Sequence, residues 1–172
     1  MVTKAKIGVS RCLLGDAVRY DGQSKPCALV IDKLGEQFEL IAICPEVEAG
    51  LSIPRPPVQL SGSLENPLLT GRDDPCIDVT ELIHNYCLKK IPSLNELSGF
   101  VLKSRSPSCG LNSTPVFING KCVTETSSGV FARALQAAYP NLPIVEETQI
   151  ELSKTLNDFI QAASQDKMKG LV

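Results

Sequence analysis

The sequence Ala5-Lys6-Ile7-Gly8-Val9 predicts a buried strand and begins the part of the chain that decides the fold. Apolar residues recur at helical spacing from Cys27 to Leu34, after a proline suited to a first helical turn. A second apolar run, Phe38-Glu39-Leu40-Ile41-Ala42-Ile43, predicts the next strand. A strand, a helix and a second strand in this order form a βαβ unit, in which the two strands are parallel.

The rest of the chain continues to alternate between predicted helices and strands. Asp78 and Glu81 have the spacing of a capping pair at the start of a helix, and Gly99-Phe100-Val101-Leu102 predicts the strand that follows. Another helix is capped by Ser127 and Ser128 and leads to a short strand at 142–145, before a final amphipathic helix. This alternation predicts an α/β fold with three layers, a mostly parallel, Rossmann-like sheet covered by helices on both faces.

The chain length favours a single domain. Its 172 residues, 43% of them hydrophobic, suffice for one substantial core, so we expect residues 1–172 to form one α/β domain. Asn119-Gly120 predicts a tight turn in a peripheral hairpin at 111–125, and residues 166–172 are expected to be a frayed tail. The longest irregular stretch, from Pro45 to about Pro75, is of the length that usually covers a functional site.

Charge and hydropathy exclude several classes of partner. The formal net charge is −2 and no run of lysine or arginine is present, which argues against binding to nucleic acid or to an anionic membrane. No apolar run is long enough to span a bilayer, and the N-terminal residues lead into a strand instead of a signal-peptide core. We therefore expect a cytoplasmic protein, in which the seven cysteines stay reduced.

Three cysteines, Cys12, Cys44 and Cys109, each lie just after a predicted strand. Because the carboxyl ends of parallel strands meet at one edge of a sheet, we expect these thiols to converge there. Three thiolates form an incomplete metal or cluster site that keeps one position free for a substrate. Cys27 and Cys87 instead fall on apolar helix faces, which is typical of plain burial, and burial alone is the competing interpretation for the first three as well.

Polar residues near these cysteines supply groups that a reaction on a small molecule needs. Glu46 follows Cys44 by two residues and can act as an acid or base, although it can equally be a helix N-terminal carboxylate. The candidate binding groups are Arg19, Tyr20 and Asp21 in a polar turn, Arg55 on a proline-rich segment, and Ser106 and Ser108 next to Cys109. A surface turn and a structural ion pair are the corresponding alternatives for the turn and for Arg55.

Together these segments resemble a known family. The matching blocks are Ser10-Arg11-Cys12-Leu13-Leu14-Gly15 with Arg19-Tyr20-Asp21-Gly22, Cys44-Pro45-Glu46-Val47 with Gly50-Leu51 and Pro54-Arg55-Pro56-Pro57, and Lys103-Ser104-Arg105-Ser106-Pro107-Ser108-Cys109-Gly110. They are similar to the signature blocks of the bacterial thiouracil desulfidase family, and the resemblance spans roughly residues 7 to 145. One departure is Leu111-Asn112-Ser113-Thr114-Pro115, where many relatives are rich in glycine.

The resemblance implies a [4Fe-4S] cluster bound by Cys12, Cys44 and Cys109, with the fourth iron left open. It also implies Glu46 as the residue that transfers a proton and Ser106 as its helper. The expected activity is hydrolysis of the C=S group of 2- or 4-thiouracil, or of thiouridine nucleotides, to C=O with release of sulfide. The expected partner is therefore a free thiolated base or nucleotide.

Two other functions fit the same residues. A non-catalytic domain that binds or senses a metal or sulfide would use the three thiols without turnover, in which case Glu46 would be dispensable. A nucleotide-binding α/β domain would only bury the thiols and would need none of them for metal. Both alternatives differ from the enzyme in their response to single substitutions.

Overall fold

The structure is a computed structural model that describes residues 3–169, and the side chains of residues 3–165. Its central sheet contains four parallel strands in the order β2-β1-β5-β8. These strands are β1 (Lys6–Ser10), β2 (Glu39–Ile43), β5 (Leu97–Leu102) and β8 (Ile144–Glu146). The sheet confirms the predicted Rossmann-like α/β class.

Helices cover both faces of this sheet. The α-helical segments are α1 (Gly35–Gln37), α2 (Pro45–Glu48), α3 (Thr80–Lys90), α4 (Val130–Ala138), α5 (Glu147–Ile150) and α6 (Ser153–Lys169). Side chains alternate along β5, so that Phe100 and Leu102 pack with α3 and α4 while Val101 packs with α6. Gly8 leaves room for Phe100, because a Cβ at Gly8 would lie 2.3 Å from the ring. The two cores thus sandwich the parallel strands.

A second sheet was not predicted from the sequence. It has the order β4-β3-β6-β7, with β3 and β6 parallel and the outer pairs antiparallel. Its strands are β3 (Val58–Ser61), β4 (Leu68–Gly71), β6 (Thr114–Ile118) and β7 (Lys121–Ser127). The prediction of one irregular stretch from Pro45 to about Pro75 is therefore wrong, since β3 and β4 lie inside it. The hairpin expected at 111–125 forms as β6 and β7 and continues this sheet.

Local details also differ from the sequence prediction. The helix expected after Cys27 is a π-helix, Leu29–Leu34, that continues into α1. Helix α4 is capped by Gly129 instead of by Ser127 or Ser128, and the Ser128 hydroxyl accepts the backbone N–H of Asn112 at 2.9 Å. Helix α6 extends into the predicted tail at 166–172, whose residues 170–172 lie outside the described residues. Within residues 3–169, no helix is long and apolar enough to cross a membrane.

Candidate active site

The three cysteines expected to converge line one cavity of about 410 Å³. Cys12 lies in a short 3₁₀-helix (Arg11–Leu14) directly after β1, Cys44 directly follows β2, and Cys109 lies in the loop after β5. Strand β1 lies between β2 and β5 in the sheet. The three thiols therefore reach the cavity from the carboxyl ends of three adjacent strands.

Burial raises the pKa of all three thiols. Burial raises the pKa of Cys12 to about 11, although the positive charges of Lys103 and Arg19 oppose this shift. Burial likewise raises the pKa of Cys44, and it raises the pKa of Cys109 well above its ordinary value. The thiols are therefore protonated at neutral pH, and a bound metal would have to displace those protons to gain thiolate ligands.

The loop that carries Cys109 is held by its own hydrogen bonds. The Ser106 hydroxyl oxygen accepts the backbone N–H groups of Ser108 at 3.3 Å and Cys109 at 3.0 Å. The Ser106 carbonyl accepts the N–H of Gly110 at 2.8 Å and the Thr114 hydroxyl at 3.0 Å. Ser106 thus fixes the turn that presents Cys109 to the cavity.

Helix α4 begins directly behind this turn. The N–H groups of Val130 and Phe131 donate to the carbonyls of Pro107 at 3.1 Å and Ser108 at 2.9 Å. The turn therefore satisfies N–H groups that a helix N-terminus otherwise leaves unpaired. Gly129 makes the close approach possible, because a Cβ there would lie 2.4 Å from the Ser108 carbonyl carbon and 2.8 Å from the Cys109 nitrogen.

A Gly129→Ala variant is therefore expected to lower the free energy of unfolding by about 1–3 kcal/mol, since the added carbon overlaps backbone atoms that cannot rotate away. Chemical denaturation of both proteins measures this difference. Gly35→Ala is the matched control, because its Cβ would meet only Leu40 Cδ1, at an ordinary 3.6 Å. Equal stabilities for Gly129→Ala and the control would contradict the packing described for the turn.

Glu46 lies in the first turn of α2 and is enclosed by two partners. Its Oε2 accepts the Arg55 Nε–H at 2.8 Å and lies 2.8 Å from Arg55 Nη2 in the same ion pair, and its Oε1 accepts the Ser108 hydroxyl at 2.8 Å. The side chains of Arg55 and Glu46 are only 6% and 12% exposed, and Arg55 also donates to the Val18 carbonyl at 3.0 Å. Both carboxylate oxygens accept hydrogen bonds, which fix the orientation of the Glu46 carboxylate in the cavity.

The start of α2 is also braced from α3. The Glu48 carboxylate accepts the backbone N–H of Cys44 at 2.8 Å and pairs with Lys90 at 3.0 Å. Because Lys90 lies at the end of α3, this ion pair ties the segment with Cys44 and Glu46 to the helix layer. The brace fixes the position of one thiol relative to the carboxylate two residues later.

Arginines and a tyrosine also line the cavity. The guanidinium carbons of Arg19 and Arg72 lie 5.8 and 5.9 Å from the centre of the Tyr20 ring. Arg19 Nε is buried and has no hydrogen-bond partner within the described part of the chain, although the Asp21 carboxylate lies 3.7 Å away. Asp21, unlike Arg19 and Tyr20, does not line the cavity; it accepts the backbone N–H of Gln23.

Basic side chains outnumber acidic ones in the lining of the cavity. Its charged lining residues are Arg11, Arg19, Lys25, Arg55, Arg72, Lys103 and Arg105, together with the single described carboxylate, Glu46. Sequence reasoning missed several of these residues. Arg72 follows β4, inside the stretch predicted to be irregular, whereas Lys103 was part of a recognised block but was given no role. Six of these seven cations pair with a carboxylate, so the basic wall offers N–H donors to an anionic group more than it offers unpaired charge.

The cysteines of the cavity suit a cluster better than a single metal ion. In the described residues, no group of three or more His, Cys, Asp or Glu side chains is arranged to hold a single metal ion. Sulfur ligands of one cubane bind different irons and lie roughly 6 to 7 Å apart, a wider spacing than around one ion. Three cysteines around one cavity, with Lys103 and Arg19 beside them, have the soft donor chemistry that fits a thiolate-bound iron–sulfur cluster.

Comparisons with known proteins agree with this chemistry. The family described as 2-thiouracil desulfurase matches residues 7–147. A [4Fe-4S]-dependent thiouracil desulfidase, TudS, has a similar structure, with a TM-score of 0.70 and 32% identity over 90% of this chain and 99% of that chain. The uncharacterized protein YbbK of Bacillus subtilis (strain 168) is 35% identical over 140 residues, which are 76% of this chain and 89% of YbbK.

Proposed function

The chain belongs to the 2-thiouracil desulfurase family, and from this premise we propose that it hydrolyses the C=S group of thiolated pyrimidines. Water supplies the oxygen of the new C=O group, and the sulfur leaves as hydrogen sulfide, so that no net electron transfer is needed. The observation that carries this proposal is the convergence of Cys12, Cys44 and Cys109 on one cavity that also contains the ion-paired Glu46.

We propose that the three cysteines hold a [4Fe-4S] cluster through their thiolates. When bound, a cluster with one iron not held by the protein supplies a soft Lewis acid that favours the sulfur of a thio-base over the oxygen of an ordinary base. Cys12 and Cys44 lie just after strands β1 and β2, and the loop that carries Cys109 is held by hydrogen bonds to Ser106, which favours a fixed ligand geometry. Lys103 and Arg19 add positive charge close to Cys12 and would offset the negative charge of the ligands.

Glu46 is proposed to take a proton from the attacking water and to return it as sulfide leaves. Arg55 and Ser108 orient its carboxylate, so that the base is held in place before the substrate binds. Ser106 is proposed as the helper. Its oxygen already accepts two backbone N–H groups, which leaves its hydroxyl proton to donate to the substrate.

The proposed substrates are 2- or 4-thiouracil and thiouridine nucleotides. Tyr20 and Arg19 offer a flat surface and a buried donor for a pyrimidine and its carbonyl oxygens. The basic wall supports an anionic substituent such as a phosphate, and a cavity of about 410 Å³ fits a small molecule. We propose free bases or nucleotides, and no nucleic acid, as substrates, and the cytoplasm as the compartment, since it keeps all seven cysteines reduced.

The test is reconstitution with iron and sulfide in the absence of oxygen, followed by incubation with 2-thiouracil, 4-thiouracil or 4-thiouridine monophosphate. The expected result is stoichiometric formation of sulfide and the oxo-product, with a higher kcat/KM for the nucleotide because of the basic wall. Protein that has not been reconstituted is the control and should release no sulfide. Iron-loaded protein that leaves all three compounds unchanged would remove this substrate class.

A further inference from the structure

Two consecutive buried carboxylates, Glu146 and Glu147, have no role in the function proposed above. Glu146 is 5% exposed and Glu147 is 8% exposed, and they lie where β8 ends and α5 begins. A buried carboxylate is costly unless it is paired or hydrogen-bonded, so its partners show what it does. The backbone at Glu146 is extended, so the side chains of Glu146 and Glu147 point in different directions and bind different partners.

Glu147 binds the beginning of the loop that carries Cys109. Its carboxylate pairs with Lys103 Nζ at 2.5 Å and accepts the backbone N–H of Ser104 at 2.7 Å and the Ser104 hydroxyl at 2.8 Å. Lys103 Nζ also donates to the Ser104 carbonyl at 3.1 Å. These contacts fix the point at which the chain leaves β5.

Glu146 binds the other end of the same loop. Its carboxylate accepts the backbone N–H of Leu111 at 2.7 Å and the hydroxyl of Ser113. The Ser113 oxygen in turn accepts the backbone N–H of Arg105 at 2.8 Å, where the backbone has a positive φ of 61°. A reciprocal capping box with Gln149 holds Glu146 itself in place. The two ends of the loop are thus joined through one carboxylate.

We propose that Glu146 and Glu147 are positioning residues of the active site. They close residues 103–113 into the shape in which Cys109 reaches the cavity and Ser108 reaches Glu46. The two buried carboxylates accept hydrogen bonds from both ends of the loop. These bonds offset the conformational entropy that is lost when a polar, proline-containing loop is ordered. This inference rests on the proposed function only for the purpose of the loop, which is to place Cys109 and Ser108 in the active site. The shape of the loop itself can be measured without any substrate.

The experiment compares Glu146→Gln and Glu147→Gln with Glu151→Gln, an exposed carboxylate just after α5. Glutamine keeps the shape of the side chain but turns an amide donor toward N–H and O–H donors. In the iron-free protein, hydrogen exchange at Leu111 should accelerate about tenfold or more in Glu146→Gln, and at Ser104 in Glu147→Gln. Alkylation of the Cys109 thiol by iodoacetamide should accelerate in both variants and stay unchanged in the control.

Ser113→Ala is a milder variant that removes two hydrogen bonds, the one accepted from the Arg105 N–H and the one donated to Glu146, and leaves both carboxylates and β8 in place. It should accelerate exchange at Arg105 and alkylation of Cys109, and lower the iron bound per chain after reconstitution. Exchange and alkylation at wild-type rates in all three variants would overturn the proposal. So would full iron binding together with wild-type kcat in variants whose loop has loosened. If wild-type protein binds iron but releases no sulfide, the proposed function fails while the exchange data still decide this inference.

Discussion

A Cys109→Ala variant reconstituted without oxygen is expected to bind little iron and to release no sulfide above background. Cys109 is one of the three thiols that line the cavity in the described part of the chain, and its removal leaves two ligands, too few to hold a cluster of four irons. Cys12→Ala and Cys44→Ala should behave in the same way, because each thiol comes from a different strand end and neither can replace the other. Iron, acid-labile sulfide and visible absorbance per chain are the measurements.

Loss of a buried thiol also removes packing, so the controls have to separate stability from iron binding. Cys87 on α3 is buried to a similar degree as Cys109, with exposures of 5% and 6%, but it does not line the cavity. Cys122 is exposed on β7. Both Cys87→Ala and Cys122→Ala should bind iron as the wild type does. Full iron content in Cys109→Ala, or an equal loss in Cys87→Ala, would show that the three thiols are not the ligand set.

The sequence predicted the parallel sheet and the meeting of the three thiols for one physical reason. Strands buried on both faces are nearly continuous apolar runs, and β1 and β5 are of this kind. A cysteine after such a run must lie at the carboxyl edge of the sheet. The edge placement of Cys12 and Cys109 therefore followed from local sequence, as did the position of Glu46 two residues after Cys44.

The second sheet and the loop contacts could not be predicted in this way. Strands β3 and β4 have only four residues each, and their pairing partners are decided by tertiary contacts instead of by periodicity. The carboxylates of Glu146 and Glu147 bind residues 33 to 44 positions away, and no local pattern encodes such a contact. This matters for the cavity, because β3 contributes Val58 to its wall and Arg72 follows directly after β4.

A Glu46→Gln variant is expected to keep its iron–sulfur content and to lose turnover, with kcat lower by roughly 10²- to 10⁴-fold. Glutamine has nearly the same shape and can still accept from Arg55 through its amide oxygen, so the fold of α2 and the position of Cys44 should be maintained. It cannot take up a proton from water. Single-turnover measurement of oxo-product formation, with iron content determined on the same sample, tests this expectation.

Two features of the site decide how the result is interpreted. The Arg55 side chain is only 6% exposed, so loss of the Glu46 charge leaves a buried cation without a negative charge beside it and should lower stability as well as kcat. Glu36→Gln, an exposed substitution in α1, is the control for a charge change that touches neither the cavity nor Arg55. If kcat of iron-loaded Glu46→Gln stays within about twofold of the Glu36→Gln value, Glu46 is not the proton-transfer residue. If the wild type and both variants bind iron and sulfide with equal affinity, and none of them turns over substrate, the protein is instead a binding or sensing domain.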